Sequence, residues 1–410
     1  MRTWFARLGP GMMLAAVAIG VSHLVQSTRA GADFGLSFIW LITLIVVLKY
    51  PAFRFAVDYA SATGESLVKG YARHGRIALA WLGVAFFVDM FIASAAVSLV
   101  TAGLFISIFD LPFAGPQVAV ALTIVSAILL LNGKYQKAER IVRVLVVLFS
   151  ILSVLAMILA LPLLGSDGRD IFAEVTPDRA LAVFVIAVAG WMPMPMTGAI
   201  FQSMWICERR RANPDEFGRR QAMLDLNVGY GLALVLAICF VVLGTAVLFQ
   251  TDRVVPHSAG AFASELLAIF TSVIGNWSYP IIATAAVAVM WSTLLALLDA
   301  LPRVTDELVG IFAARAADAP SRYTAFLVLQ VLGVSLLLLF LMQGFTAYID
   351  FATSTAFIAA PALAYYNFRA LTSEGIAAEY RPAPALVAWN WISIAALAAF
   401  ALGFVALRLL

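Results

Sequence analysis

Residues 190–198 read Gly190-Trp191-Met192-Pro193-Met194-Pro195-Met196-Thr197-Gly198. They sit inside an apolar run over roughly residues 181–205, and they cannot stay helical. Each proline removes a backbone donor, and its ring clashes with the carbonyl four residues earlier. Two prolines so close together open a helix, and Gly190 and Gly198 flank the opening. A milder weak point lies in the run over residues 9–27, which reads Ala18-Ile19-Gly20-Val21-Ser22-His23-Leu24. Gly20 and Ser22 lower helix propensity there without a proline.

The runs that carry these breaks belong to a chain built for lipid. Of 410 residues, 63% are hydrophobic and 12% charged. A soluble domain carries about 25% charged residues, and mean hydropathy here is +0.98. That excludes a cytosolic enzyme, a disordered chain and a secreted disulfide scaffold. Cys207 and Cys239 have no CxxC spacing, so they point to neither zinc nor a disulfide framework.

Apolar runs near 20 residues cross about 30 Å of hydrocarbon. Eleven are predicted, over roughly 9–27, 35–58, 78–106, 116–132, 143–164, 181–205, 223–249, 278–300, 323–343, 348–368 and 386–407. With the N-terminus inside, inner segments hold Arg2, Arg7, Lys69, Arg73, Arg76, Lys134, Lys137, Arg140, Arg143, Arg209, Arg210, Arg211, Arg219, Arg220, Arg303, Arg315, Arg322, Arg369 and Arg381. Outer segments hold Arg29, Arg169, Arg179, Arg253 and Arg408. Lys49 and Arg54 fall inside the second run. This bias predicts a multi-pass protein of the cell (inner) membrane, N-terminus cytoplasmic and C-terminus outside. The basic stretch Cys207–Arg220 is read as a positive-inside loop, with no nucleic-acid partner implied.

The first and sixth runs stand five apart. Interrupted spans at matching places in two halves mark inverted-repeat transporters. The expected fold is therefore all-α, with eleven transmembrane helices in a LeuT-like 5+5 inverted repeat. Helices 1 and 6 are expected to unwind at the midplane. Residues 1–164 form the first repeat, 165–370 the second, and 371–410 an added helix 11.

The run from Gly9-Pro10-Gly11-Met12-Met13 to Arg29-Ala30-Gly31-Ala32-Asp33-Phe34-Gly35 resembles the first helix of the Nramp family. That family consists of proton-coupled transporters of divalent transition metals. Asp89 falls at an acid of its third helix, Met194-Pro195 at the Met-Pro of its sixth, and Asp225 at the acid opening its seventh. Ser292-Thr293 and Pro361 match its eighth and tenth helices. The resemblance covers roughly the first 370 residues.

The departures sit where the family binds metal. Its first-helix Asp-Pro-Gly-Asn becomes Gly20-Val21-Ser22-His23, so the carboxylate is lost and the Asn becomes a histidine. Its sixth-helix thioether and carbonyl ligands map onto Met194 and Trp191. Two sixth-helix histidines map onto Met196 and Phe201, a third-helix acid onto Ile92, and tenth-helix glutamines onto Thr353 and Ala359. The resemblance thus implies a substrate site at Gly20, Ser22, His23, Trp191, Met194 and Thr353, with His23 and Met194 as metal ligands and Asp89 as proton relay.

Imidazole and thioether suit soft or borderline metals, and a titratable group in the membrane is functional by default. His23 is a ligand, a proton carrier between pH 5 and 8, or a structural residue bonded to a carbonyl of the opened sixth helix. Asp89 is a relay or one half of a structural pair. Met192 and Met196 are further soft ligands or apolar filler. Asp299 is expected to pair with Arg303 at the inner mouth, and Asp58 with Arg54 along one helix face.

The leading expectation is a secondary transporter of a metal cation, protons included as partners. The alternatives are a small organic or uncharged polar solute on the same fold, with Trp191 stacking on it, and a non-transporting sensor. No nucleophile–base pair or phosphate loop points to an enzyme, and no cofactor is expected.

Overall fold

In hydrocarbon every backbone polar group must find its partner inside its own segment, so a chain this apolar builds helices. The computed structural model of the chain describes residues 10–133, 135–166, 168, 170–173, 178–212, 217–251, 253, 255–313, 320–342 and 344–409. Arg2, Arg7, Gly9, Lys134, Arg169 and Arg315 lie outside them. Among the described residues the structure is helical, with one isolated bridge pairing Gly35 and Phe172.

Among the described residues, eight helices are long and apolar enough to cross a membrane: Phe38–Thr63, Arg76–Phe109, Val144–Leu163, Arg219–Thr251, Asn276–Phe312, Tyr323–Leu341, Phe345–Leu371 and Pro384–Ala406. Three shorter apolar helices accompany them, Gly115–Leu131, Arg179–Trp191 and Ala259–Ile274. The sequence reading placed no run at Ala259–Ile274. Its 16 residues rise only about 24 Å at 1.5 Å each, too short for the length criterion. The chain is an integral membrane protein.

The sixth run opens as its prolines require. One helix ends at Trp191, and Met192 turns extended at φ −91°, ψ 124°. The next helix begins at Gly198, and the Met192–Pro193 bond is cis. The first run is interrupted more narrowly, without an extended segment like that of the sixth. Its α-helix Pro10–Ala18 passes through a turn into a π-helix over Ser22–Ser27, then an α-helix over Thr28–Phe34. Gly20 still accepts from the amides of His23 and Leu24 at 3.2 and 3.0 Å. Gly20 and Ser22 cost about 1 kcal/mol of propensity at most, against about 3 kcal/mol for each interior proline. The defect is therefore taken up in a short turn and a stretch of i→i+5 bonds, without an extended segment.

Two close backbone approaches fix these segments. A Cβ on Gly190 would lie 1.8 Å from the Thr353 carbonyl oxygen, so the Arg179–Trp191 helix meets Phe345–Ile358 backbone to backbone. A Cβ on Gly229 would lie 2.0 Å from the Gly11 carbonyl oxygen, which seats Pro10–Ala18 on Arg219–Val247. Asp225 accepts the Gly11 amide at 2.6 Å, satisfying a donor at the start of the first helix.

Candidate functional site

The opened segment of the sixth run borders a small enclosed cavity. Ser22, Asp89, Trp191, Met194, Thr197 and Thr293 are among the residues that line it, with Phe201. It gives water centres about 30 Å³, room for about two waters at roughly 10–15 Å³ each.

Asp89 arrives by a local change of helix. The third run is α-helical over Arg76–Val88 and π-helical over Asp89–Ala93 before resuming as Ser94–Phe109. The wide turn begins at the acid itself, which is buried. The Thr197 hydroxyl, freed from any helix by the prolines before it, donates to Asp89 Oδ2. A buried carboxylate thus meets a hydroxyl across two segments, and the contact supplies one of the hydrogen bonds that burial demands. Among the cavity-lining residues Asp89 carries the one carboxylate.

Met194 folds back over Gly198, whose absent side chain leaves the room. A Cβ there would lie 2.3 Å from Met194 Cε and 2.6 Å from its sulfur. Met192 and Met196 are also buried, but of the three methionines only Met194 lines the cavity. The Trp191 indole Nε1 is buried without a hydrogen-bond partner, an unused donor beside the cavity.

His23 points elsewhere. Its Nε2 lies 2.8 Å from the Ala233 carbonyl oxygen of Arg219–Val247, and its Nδ1 lies 2.8 Å from Ser22 Oγ. A carbonyl only accepts, so Nε2 carries the proton and the neutral ring's Nδ1 accepts from Ser22. Nε2 is committed to that carbonyl, Nδ1 faces the Ser22 hydroxyl, and His23 does not line the cavity. The expected imidazole–thioether pair with Met194 is therefore not assembled, and the carbonyl that His23 does meet belongs to the seventh run, not the sixth. Ser22 Oγ also sits 3.3 Å from the Pro193 carbonyl oxygen, which ties the widened first helix to the opened sixth.

Two other expected residues stand apart. Gly20 packs against Thr293, with 3.4 Å between its virtual Cβ and Thr293 Cγ2. Thr353 is buried and accepts from Gln26 Nε2 at 3.2 Å. Neither borders the cavity. Asp299 pairs with Arg303 at 2.9 Å, as expected. Asp58 lies 3.7 Å from Arg54 and takes a second, closer partner in Arg219 at 2.7 Å.

Sequence reading missed two features around the break. Lys49 is fully buried and donates from Nζ to the Gly190 carbonyl at 2.8 Å and the Met194 carbonyl at 3.3 Å. Its charge in the second run was visible, but its target was not. Arg29, read as a loop residue, donates to Asp350 Oδ1 at 2.6 Å and Oδ2 at 3.1 Å. Its guanidinium also stands over the Phe184 ring at 4.9 Å. Gln26 joins both residues, giving to Asp350 and taking from Arg29. This cluster clamps the first, sixth and tenth runs together at one end.

A second small cavity lies beyond Phe201, which borders both, and holds Glu208, Asp299 and Arg303. Among the described residues no three of His, Cys, Asp and Glu gather as a metal cluster, so an ion held here would rely on mixed oxygen and sulfur donors.

Comparison with known proteins fixes the family. The chain is 29% identical to the uncharacterised Pasteurella multocida protein PM0681, over 98% of this chain and 93% of that one. It is 24% identical to a Mesorhizobium japonicum protein named divalent metal cation transporter MntH, over 58% of this chain and 53% of the relative. The fold matches a mutant of the Eremococcus coleocola manganese transporter with a TM-score of 0.70 at 14% identity, over 96% of this chain and 85% of that one. The model of the natural resistance-associated macrophage protein-like family matches residues 11–407, and the chain belongs to that family, Nramp.

Proposed function

We propose that this chain is a secondary transporter that moves a transition-metal cation by alternating access, with the cargo held at the cavity beside the opened sixth helix. The observation that carries this reading is the meeting of the Asp89 carboxylate, the Thr197 hydroxyl and the Met194 thioether around a cavity of two-water size. A carboxylate compensates a cation's charge where lipid surrounds the protein, and a thioether favours the softer metals. The Trp191 indole donor suits a water that travels with the ion. A solute of several heavy atoms does not fit the cavity in this state, which weighs against an organic cargo.

The same reading gives the other parts their places. The chain makes eleven crossings, arranged as repeats over 1–164 and 165–370 with an added helix over 371–410. Its N-terminus lies in the cytoplasm and its C-terminus outside. The Arg29–Asp350 clamp closes the outer side, and the cavity beyond Phe201 is the inner vestibule. Asp89 is the proton relay: it passes its proton inward as the cation binds, so a proton enters with the cation.

Proteoliposome uptake of Mn²⁺, Fe²⁺, Zn²⁺ and Cu⁺ tests the proposal. Saturable uptake of at least one, with acidification inside, is expected. Protein shown to be folded that moves none of the four overturns it.

A further inference from the structure

Opening a helix leaves carbonyls without partners. In the sixth run, the Gly190 carbonyl would normally accept from residue 194, which the break has carried away. It lies in the last turn of Arg179–Trp191, where the helix dipole adds about half a negative charge. Unwound carbonyls and helix C-terminal ends at such breaks are where transporters coordinate small cations. Here that place is filled by the chain. Lys49 Nζ reaches the Gly190 carbonyl at 2.8 Å and the Met194 carbonyl at 3.3 Å. It comes from Phe38–Thr63, which also packs along the second half of the broken run, Gly198–Ala212.

The surroundings leave the ammonium no other role. Among the described residues no carboxylate stands within ion-pair distance of it. The acids on neighbouring elements are engaged elsewhere: Asp58 with Arg54 and Arg219, Asp350 with Arg29, Asp225 with the Gly11 amide. A fully buried ammonium with only carbonyl partners is costly unless those partners carry excess negative potential. The open end of a broken helix supplies it.

We infer that the Lys49 ammonium is a resident cation of the sixth-helix break, occupying the carbonyl site that a separate alkali cation would otherwise take. It ties the end of the first half to the opened segment and keeps those two carbonyls from the cargo. The cargo is thereby confined to the Asp89, Thr197 and Met194 side. This specificity role rests on the transport reading, whereas occupancy of the break does not. The test therefore reads occupancy through stability, so that it fails or succeeds independently of metal uptake.

The melting temperature of purified wild-type protein, K49M and K49R is measured in choline, sodium and potassium chloride at equal ionic strength. Wild type is expected to melt at the same temperature in all three salts. K49M, which keeps the side-chain bulk and loses the charge, is expected to melt at least about 5 °C lower in choline. Sodium or potassium should recover about half of that loss or more by entering the vacated site. K49R, which keeps a cation, is expected to stay indifferent to the salt. If K49M yields no folded protein in any salt, recovery of folded K49R still ties the role to charge. Alkali stabilisation of wild type, or a K49M that is equally stable in choline, overturns the inference, as does failure of both variants to fold.

Discussion

The first and sixth runs both border the cavity and both carry helix-weakening residues, yet only the sixth gives way to an extended segment. In the sixth, two prolines remove donors outright, and Met192–Thr197 leaves the helix. In the first, Gly20 and Ser22 only loosen the ladder, which absorbs the defect as a π-turn over Ser22–Ser27. The chemistry follows the backbone. The opened segment presents Met194 and Thr197 to the cavity, beside Trp191 at the end of the helix before it. The widened segment turns its histidine onto the Ala233 carbonyl. In this chain a broken helix makes a site, and a wide turn makes a joint.

The sharpest way to break that contrast is to push the sixth run away from its support. Gly190→Ala would drive a Cβ to 1.8 Å from the Thr353 carbonyl oxygen, a backbone atom with no soft side chain to yield. The expected cost is about 3 kcal/mol or more, read as a large fall in melting temperature and loss of the monodisperse species in detergent. A Gly190→Ala protein as stable as wild type would mean that the two segments are not in backbone contact.

The next largest effect separates the site from the joint by function. Asp89→Asn keeps the volume and an acceptor for Thr197 but removes the cavity's carboxylate. Metal uptake is expected to fall by about 100-fold, equivalent to about 2.7 kcal/mol, and its pH dependence to flatten, while melting changes little. Uptake within twofold of wild type would remove Asp89 from the cargo site.

His23→Ala should show the reverse pattern. It deletes a buried ring and both of its hydrogen bonds, so stability should drop by about 2 kcal/mol. The preference among metals should be unchanged in whatever folded protein remains. A changed metal preference would return His23 to the cargo.

How much of this was legible beforehand depends on whether direction or only depth was needed. Pro193 and Pro195 announce the opening whatever surrounds them, because a missing donor is a local fact. Asp89 was legible as a midspan acid in an apolar run, since only depth was at stake. The direction of His23 was not legible. The π-turn inserts one extra residue, and that rotates the following side chains by roughly 100° against a 3.6-residue reading. Lys49 shows the same limit. Its burial could be read from the second run, but its target carbonyls exist only once another helix has broken. Arg29 looked like a loop cation because its partner Asp350 lies more than 300 positions away, and composition carries no trace of such a pairing. Ala259–Ile274 escaped because a short apolar helix resembles a loop with hydrophobic residues.

The smallest expected effect concerns the link between the two runs. Ser22 Oγ stands 2.8 Å from His23 Nδ1, 2.9 Å from the Ala18 carbonyl and 3.3 Å from the Pro193 carbonyl. A hydroxyl has one proton, so it cannot serve all three at once. The Ala233 carbonyl already sets the histidine tautomer, so the proton goes to His23 Nδ1, to Ala18 or to Pro193, and only donation to Pro193 ties the π-turn to the break. Ser22→Ala removes all three choices and should cost about 1 kcal/mol of stability. If the joint relays movement between the runs, the variant should bind metal as tightly as wild type but turn over about two- to threefold more slowly, a modest change in barrier. Ser22→Thr, which restores a hydroxyl, should recover the rate. Equal slowing by Ala and Thr would place the effect in packing at the wide turn, leaving the two runs to move without this hydrogen bond between them.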